Sequence, residues 1–203
     1  MLQGLTSDLF YDPSWADGLT CDKFDSSWRM VSEVAKCSIA DVDEFVESHY
    51  LGKRPAVVLL CLMMKCNNQP VGCICYSAPP LQASKRYNCE TWELARLFIV
   101  DEVPRNAETW LIGKSVKHIK RTQPTVGCLV SYADPSADHK GTIYKAANWR
   151  TDGMTDEGRK TPRSDYVDKN TGIKYGRKGN VPDGADLGTI PRVSKHRFYL
   201  RLK

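Results

Sequence analysis

No two of the eight cysteines are spaced as CxxC, and no apolar run approaches the roughly 18 residues that a membrane span requires. The first absence argues against a zinc site. The positions of the thiols argue equally against a disulfide framework. Cys61, Cys73, Cys75 and Cys128 stand inside apolar, strand-like runs, where a thiol behaves as a small hydrophobe. Cys73 and Cys75 flank Ile74 and so share one face of a strand. Reduced, structural cysteines are expected. Met1–Trp15 carries no signal-peptide pattern, so a soluble, cytoplasmic protein with no membrane partner is expected. Hydrophobic residues make up 41% of the 203, which suffices for a single domain with a core of its own.

Basic residues are scarce early in the chain and abundant later. Lys+Arg against Asp+Glu gives 3 − 10 = −7 for residues 1–50 and 26 − 14 = +12 for residues 51–203. A positive body behind an acidic leader suits a polyanion, although the same asymmetry also serves solubility alone.

Met1–Asp25 has proline, glycine and many aspartates without a period, and is expected to be an irregular arm. Trp28–Ala35 predicts a first strand. Ser38 with Asp41 three residues on forms a capping box before Ile39, Val42, Phe45 and Val46, a helix ending near Tyr50. Ala56–Lys65 and Pro70–Ser77 flank a short polar turn and predict a central hairpin. A loop rich in Pro and Ser leads to a strand over Trp92–Val100. A helix comes next, from Pro104 and Asn106 to about Arg121, then a strand over Val126–Asp134 and a helix over Asp138–Asn148. Pro135 disfavours helix at Asp134, which leaves Ser131 and Asp134 at the mouth of the strand, and Ser136 or Asp138 can cap the next helix. Gly153–Gly188 has seven glycines and no period, and is expected to be a mobile, basic insertion. His196–Leu202 alternates apolar and polar residues and closes the sheet. The expected fold is therefore a single α/β domain built on a mixed sheet flanked by helices.

Four segments resemble the bacteriophage Mom family of DNA-modification proteins. They are Ser48-His49-Tyr50-Leu51 with Arg54-Pro55, Trp92–Ile99 running into Pro104-Arg105-Asn106, the Leu129–Trp149 block, and Ser194–Leu202. The resemblance implies a GCN5-related N-acyltransferase-like fold with a V-shaped gap between two parallel strands. It also implies conversion of adenine N6 in double-stranded DNA to N6-carbamoylmethyladenine, as protection from host restriction. The positions matching the family's functional residues are His49, Tyr50, Arg96, Thr109, Ser131, Asp134 and Tyr144. The chain departs from the acyl-CoA pattern after the fourth strand, where Asp101-Glu102-Val103-Pro104-Arg105-Asn106 holds no glycine before Gly113. Arg105, Asn106 and Thr109 are left as the candidate cofactor contacts there. Acyl-CoA use rests on fold analogy alone.

Each candidate has a plainer alternative. His49 shares the apolar face of its helix, where a core histidine is the usual occupant; as a base it could take a proton from an amine. Arg96 is a lone charge in an apolar strand, so it either pairs with Glu93 or Asp134 or clamps an anionic donor. Asp134 is either a turn residue or the group that holds the substrate amine, with Ser131 beside it. Tyr144 is either a core aromatic or a proton donor to a leaving group. Tyr50, Tyr132 or Trp149 could stack on a flipped base. Lys114, Lys117, His118 and Arg121 form a stripe along one helix, either a solvated face or a contact to DNA phosphates. His49, Asp134 and the tyrosines could hold iron, though no ligand spacing demands a metal. Two other functions stay open: a CoA-dependent N-acyltransferase acting on a small amine or protein, and a non-catalytic nucleic-acid-binding protein. Oligomeric state is not readable.

Overall fold

The computed structural model describes residues 27–161, 163–175 and 181–203, so the expected N-terminal arm lies outside the described residues. Trp28 is buried in a turn and meets Trp110 edge-on at 5.4 Å rather than opening a strand. The first strand, β1, is Ser32–Cys37. Ser38 and Asp41 form the capping box: the Ser38 N–H donates to Asp41 at 2.7 Å and the Asp41 N–H to Ser38 Oγ at 3.2 Å. A 3-10 turn at Ala40–Val42 then runs into α1, Asp43–Ser48.

β2 (Val58–Cys66) and β3 (Gln69–Ser77) form the predicted hairpin. Its two turn residues, Asn67 and Asn68, both have positive φ (49° and 65°), the geometry that a two-residue hairpin loop with the right twist needs. Asparagine tolerates it better than other residues with a side chain. Both strands are buried through most of their length, which explains their continuous apolar sequence.

The Pro- and Ser-containing stretch expected as loop contains a helix, α2 (Leu81–Tyr87), preceded by Pro80 in extended geometry. Next come β4 (Thr91–Ile99), α3 (Ala107–Thr122), β5 (Cys128–Ala133), α4 (Thr142–Ala146) and β6 (Arg150–Met154). The segment expected as a mobile insertion is ordered in part into β7 (Ser164–Asp168), β8 (Lys174–Tyr175) and β9 (Leu187–Pro191), a three-stranded sheet in the order β8-β7-β9. Nor is it strongly basic, since its seven Lys and Arg face six Asp and Glu. The closing strand β10 is His196–Arg201.

The main sheet has the order β1-β2-β3-β4-β5-β10-β6, antiparallel throughout except for β4 and β5. It is the mixed sheet flanked by helices that was expected. β4 and β5 pair in parallel only at Thr91–Cys128, Trp92–Leu129 and Glu93–Val130, and beyond Glu93 they splay apart. In β4 the register with β3 shifts between Leu94 and Arg96, so that Ala95 is the extra residue of a bulge. Helix α3 packs Leu111, Ile112 and Ile119 into the core, and its Ser115 hydroxyl meets Tyr76 Oη at 2.7 Å on β3.

The seven described cysteines are free thiols. Cys61 and Cys75 face each other across β2 and β3, and burial pushes the half-buried Cys37 up to about 12. Thiol titration in denaturant without reductant should therefore count close to all eight residues. A count lower by one or more pairs would contradict the reduced state.

Candidate active site between the splayed strands

Where β4 and β5 part, the sheet opens into a cavity of about 920 Å³. Its walls come from β4, β5, the end of α1, the start of α2 and α4, and the segment before β10. Of the candidate site residues singled out in the sequence, His49, Tyr50, Arg96, Ser131, Tyr132 and Tyr144 line it. Asp134, Arg105, Asn106, Thr109, Lys114, Lys117, His118 and Arg121 are not part of its lining.

Arg96 is buried, but neither Glu93 nor Asp134 is its hydrogen-bond partner. Its Nε and Nη2 donate to the Lys53 carbonyl at 2.9 and 2.8 Å, and Nη1 donates to the Ala95 carbonyl at 2.6 Å. The guanidinium thus ties the segment after α1 to the bulge of β4. It brings His49 and Tyr50 over the cavity and still presents a positive charge to it.

Glu93 is a residue whose role sequence reasoning missed. Alternation along β4 points it into the gap, where burial pushes its carboxyl up to about 7 despite the opposing charges of Arg96 and Lys195. A carboxyl that titrates near neutrality, in a cleft beside a fixed cation, is suited to accept a proton from a bound substrate. In sequence it reads as one polar residue of an ordinary strand. The signal lay in its place at the last paired position before the split.

Tyr144 and Ser131 form a second unit. Ser131 Oγ lies 2.9 Å from the Leu94 carbonyl and 2.8 Å from Tyr144 Oη. Ser131 has one hydroxyl proton, and the carbonyl can only accept, so with that proton on Leu94 the Tyr144 hydroxyl donates to Ser131. Burial pushes Tyr144 up to about 12, which keeps it protonated and able to donate. Its ring packs on Trp149 and Phe198 at 5.4 and 5.1 Å. It is both the core aromatic and the hydroxyl at the cavity wall. Trp149 itself is buried away from the lining, whereas Tyr132 is part of it.

His49 Nδ1 accepts from the Leu51 N–H at 3.2 Å, so the neutral ring carries its proton on Nε2. Burial, with Arg96 and His139 nearby, holds it down to about 4. At neutral pH it is a hydrogen-bond donor and a weak proton acceptor. Tyr50 is 44% exposed and sits between two imidazoles, 4.4 Å from His49 and 4.6 Å from His139. This is an aromatic rim on which a flat ring can stack.

Asp134 is fully engaged. One oxygen receives the N–H and hydroxyl of Ser136 at 3.0 and 2.6 Å, and the other meets Lys195 Nζ at 2.8 Å. Those donors hold its carboxyl below the usual range despite burial, which acts the other way. It is a turn cap and the anchor of Lys195, which does line the cavity. Among the described residues no three His, Cys, Asp or Glu side chains form a metal-binding cluster.

The N-terminus of α3 does not fit a pyrophosphate. Its N-cap, Asn106, is left-handed and makes no side-chain cap, Glu108 occupies the first turn, and Asp101 and Glu108 turn towards the cavity. Two carboxylates there would oppose the dinucleotide end of coenzyme A, which wants bare amides and positive charge. Arg105 and Asn106 are exposed outside the lining.

The fold and the sequence both have relatives. A putative GNAT-family acetyltransferase from Desulfovibrio desulfuricans superposes with a TM-score of 0.51 at 9% identity over 85% of this chain and 99% of that one. An IAA acetyltransferase from Bacillus cereus reaches 0.53 at 11% identity over 84% and 99%. The fold is thus the GCN5-related N-acyltransferase fold that the resemblance implied. In sequence, the methylcarbamoylase Mom of Escherichia phage Mu is 35% identical over 109 residues, 54% of this chain. The match spans only 39% of that relative's length. The family model described as the Mom protein family matches residues 31–175, well over half of the molecule. The chain belongs to the Mom protein family.

Proposed function

We propose that this chain is a phage DNA-modification enzyme that converts adenine N6 in double-stranded DNA to N6-carbamoylmethyladenine and so shields the DNA from restriction. The observation that carries the chemistry is the placement of the Glu93 carboxyl inside the gap between β4 and β5, where burial pushes it up to about 7. Similarity to a protein named as a methylcarbamoylase supports the choice of group transferred.

Adenine N6 is a weak nucleophile because its lone pair is delocalised into the ring. The site must hold it rigidly and take its proton as the new bond forms. In the proposed step N6 attacks the methylene carbon of a carbamoylmethyl donor. The N6–CH₂ bond forms as the bond from CH₂ to the leaving group breaks. The N6 proton passes to Glu93, and the Tyr144 hydroxyl, turning its proton from Ser131 to the departing group, protonates it. Arg96 faces the donor's electron-rich end, and Tyr50 stacks on the base. His49 acts as a hydrogen-bond donor through Nε2 rather than as the base. Plain acyl transfer would leave a carbonyl on N6 instead of a methylene, so neither chemistry nor the acidic start of α3 favours acetyl-CoA as the carbon source. Phosphates beside the target would meet Lys140, Arg159 and Lys195 at the rim, while the α3 stripe supplies a further contact away from the cavity.

Mass spectrometry of nucleosides from DNA of cells producing the protein tests the reading. A new adenine-derived nucleoside is expected. Unmodified DNA with turnover of acetyl-CoA would favour the small-amine or protein acyltransferase instead, and DNA binding with no reaction would favour a binding protein. Tyr144→Phe should keep the fold, because Ser131 retains the Leu94 carbonyl, yet slow modification by about 10²-fold. Full modification by that variant would remove Tyr144 from the chemistry.

A further inference from the structure

An adenine paired and stacked in a duplex keeps N6 out of reach, so a cavity set within a splayed sheet acts on it only after the base has left the helix. A departed base leaves a gap in the stack, and it returns unless something occupies that gap. Proteins that hold DNA open commonly insert an apolar side chain for this purpose.

Leu81 stands just outside the cavity lining and is 72% exposed, more than Tyr50 at 44% or Val193 at 48%, the exposed large hydrophobics within the lining. It is the first residue of α2, and its neighbours Pro80, Gln82 and Ala83 are all part of that lining. Its mounting is stiff. Pro79 and Pro80 fix the approach of the chain, and Ala83 and Tyr87 root the helix among Cys128 and Val130. Arg86 and the Tyr87 hydroxyl are bound to Asp152 at 2.6–2.8 Å. An apolar tip on a fixed pedestal, at the edge of a cavity whose lining includes Lys140, Arg159 and Lys195, matches the stacked interior and the charged edges of a duplex together.

We infer that Leu81 is the wedge that enters the duplex and fills the space vacated by the flipped adenine. The inference rests on the DNA-modification reading above. Leu81→Ala and Leu81→Phe are compared with the parent in two assays. In nucleoside mass spectrometry of plasmid DNA from producing cells, Leu81→Ala should lose about tenfold or more of the modification and Leu81→Phe should retain it. In binding to short fluorescent duplexes, Leu81→Ala should weaken only where the adenine faces thymine, and should match the parent where it faces an abasic site. Equal modification by Leu81→Ala and the parent would overturn the wedge, as would an equal loss of affinity on both duplexes. Loss of modification by Leu81→Phe matching that of Leu81→Ala would also overturn it. Failure of the parent itself to modify DNA would instead sink the reading beneath it.

Discussion

Replacing Glu93 with Gln should slow modification at least about 10²-fold and at the same time stabilise the protein above neutral pH. The two effects share one cause. The Glu93 carboxyl is raised from 4.5 to about 7, chiefly by burial, so the folded chain keeps a proton that the unfolded chain releases. Stability contributed by this group therefore falls as pH rises from about 4.5 through about 7, and by pH 8 the folded state carries a buried carboxylate at a cost of up to about 3 kcal/mol. Gln cannot ionise. Its Tm at pH 8 should exceed the parent's by several degrees, roughly 2–4 °C per kcal/mol at this chain length, and the gain should vanish near pH 4.5. The parent's modification rate should rise with pH through about 7 as the base becomes available. The variant should run at least about 10²-fold slower with no such rise. Calorimetry across pH, with nucleoside mass spectrometry, reads both. Unaltered activity would remove Glu93 as the base, and an unaltered difference in Tm between the two pH values would refute the burial argument.

Gly141→Ala should be the most damaging small substitution near the site. Gly141 has φ +71°, and a methyl group there would lie 2.2 Å from Cζ of Phe198. Phe198 is fully buried in β10 and packed against Tyr144 at 5.1 Å, so the ring has little room to retreat. Backbone strain and overpacking together should cost about 2–4 kcal/mol. Gly141 caps α4, so the displacement passes directly to Tyr144 and its contact with Ser131. A shift of about 1 Å there should cost about 10²-fold in rate. Gly113→Ala is the control, because no atom lies within 4 Å of the added carbon and its helical site should gain about 0.5–1 kcal/mol. Urea midpoints measure both, and equal midpoints for the two variants would show that Phe198 yields more easily than its packing implies.

Much of the frame was readable because it is local. The hairpin turn at Asn67-Asn68, the capping box at Ser38 and Asp41, and the apolar period of α3 each declare themselves within a few residues. What stayed hidden depends on distant partners. α2 has a single turn or two, with proline before it and serine within it, and its helical form is secured by Tyr87 and Arg86 reaching Asp152 on β6. The partner of Asp134 stayed hidden because Lys195 stands far away in sequence. Arg96 found main-chain carbonyls, which no pattern of charged residues reveals. Glu93 matters only because β4 and β5 part just beyond it, a property of two strands that neither strand encodes alone. The strands β7, β8 and β9 are short and rich in glycine or charge nearby, and their alternation is too brief to stand out.

The place of β10 in the main sheet gives synthesis of the molecule a direction. Among the described residues β6 has β10 as its only neighbour in that sheet, yet β10 comes after it in the chain. While the ribosome is still making the intervening residues, β1 to β5 can already pair, but β6 has nothing to dock against. Lys195 and Phe198, which brace the turn at Asp134 and the ring of Tyr144, arrive in the same late stretch. Among the described residues the pocket is therefore completed late, when β10 slides between β5 and a β6 that has been waiting for it.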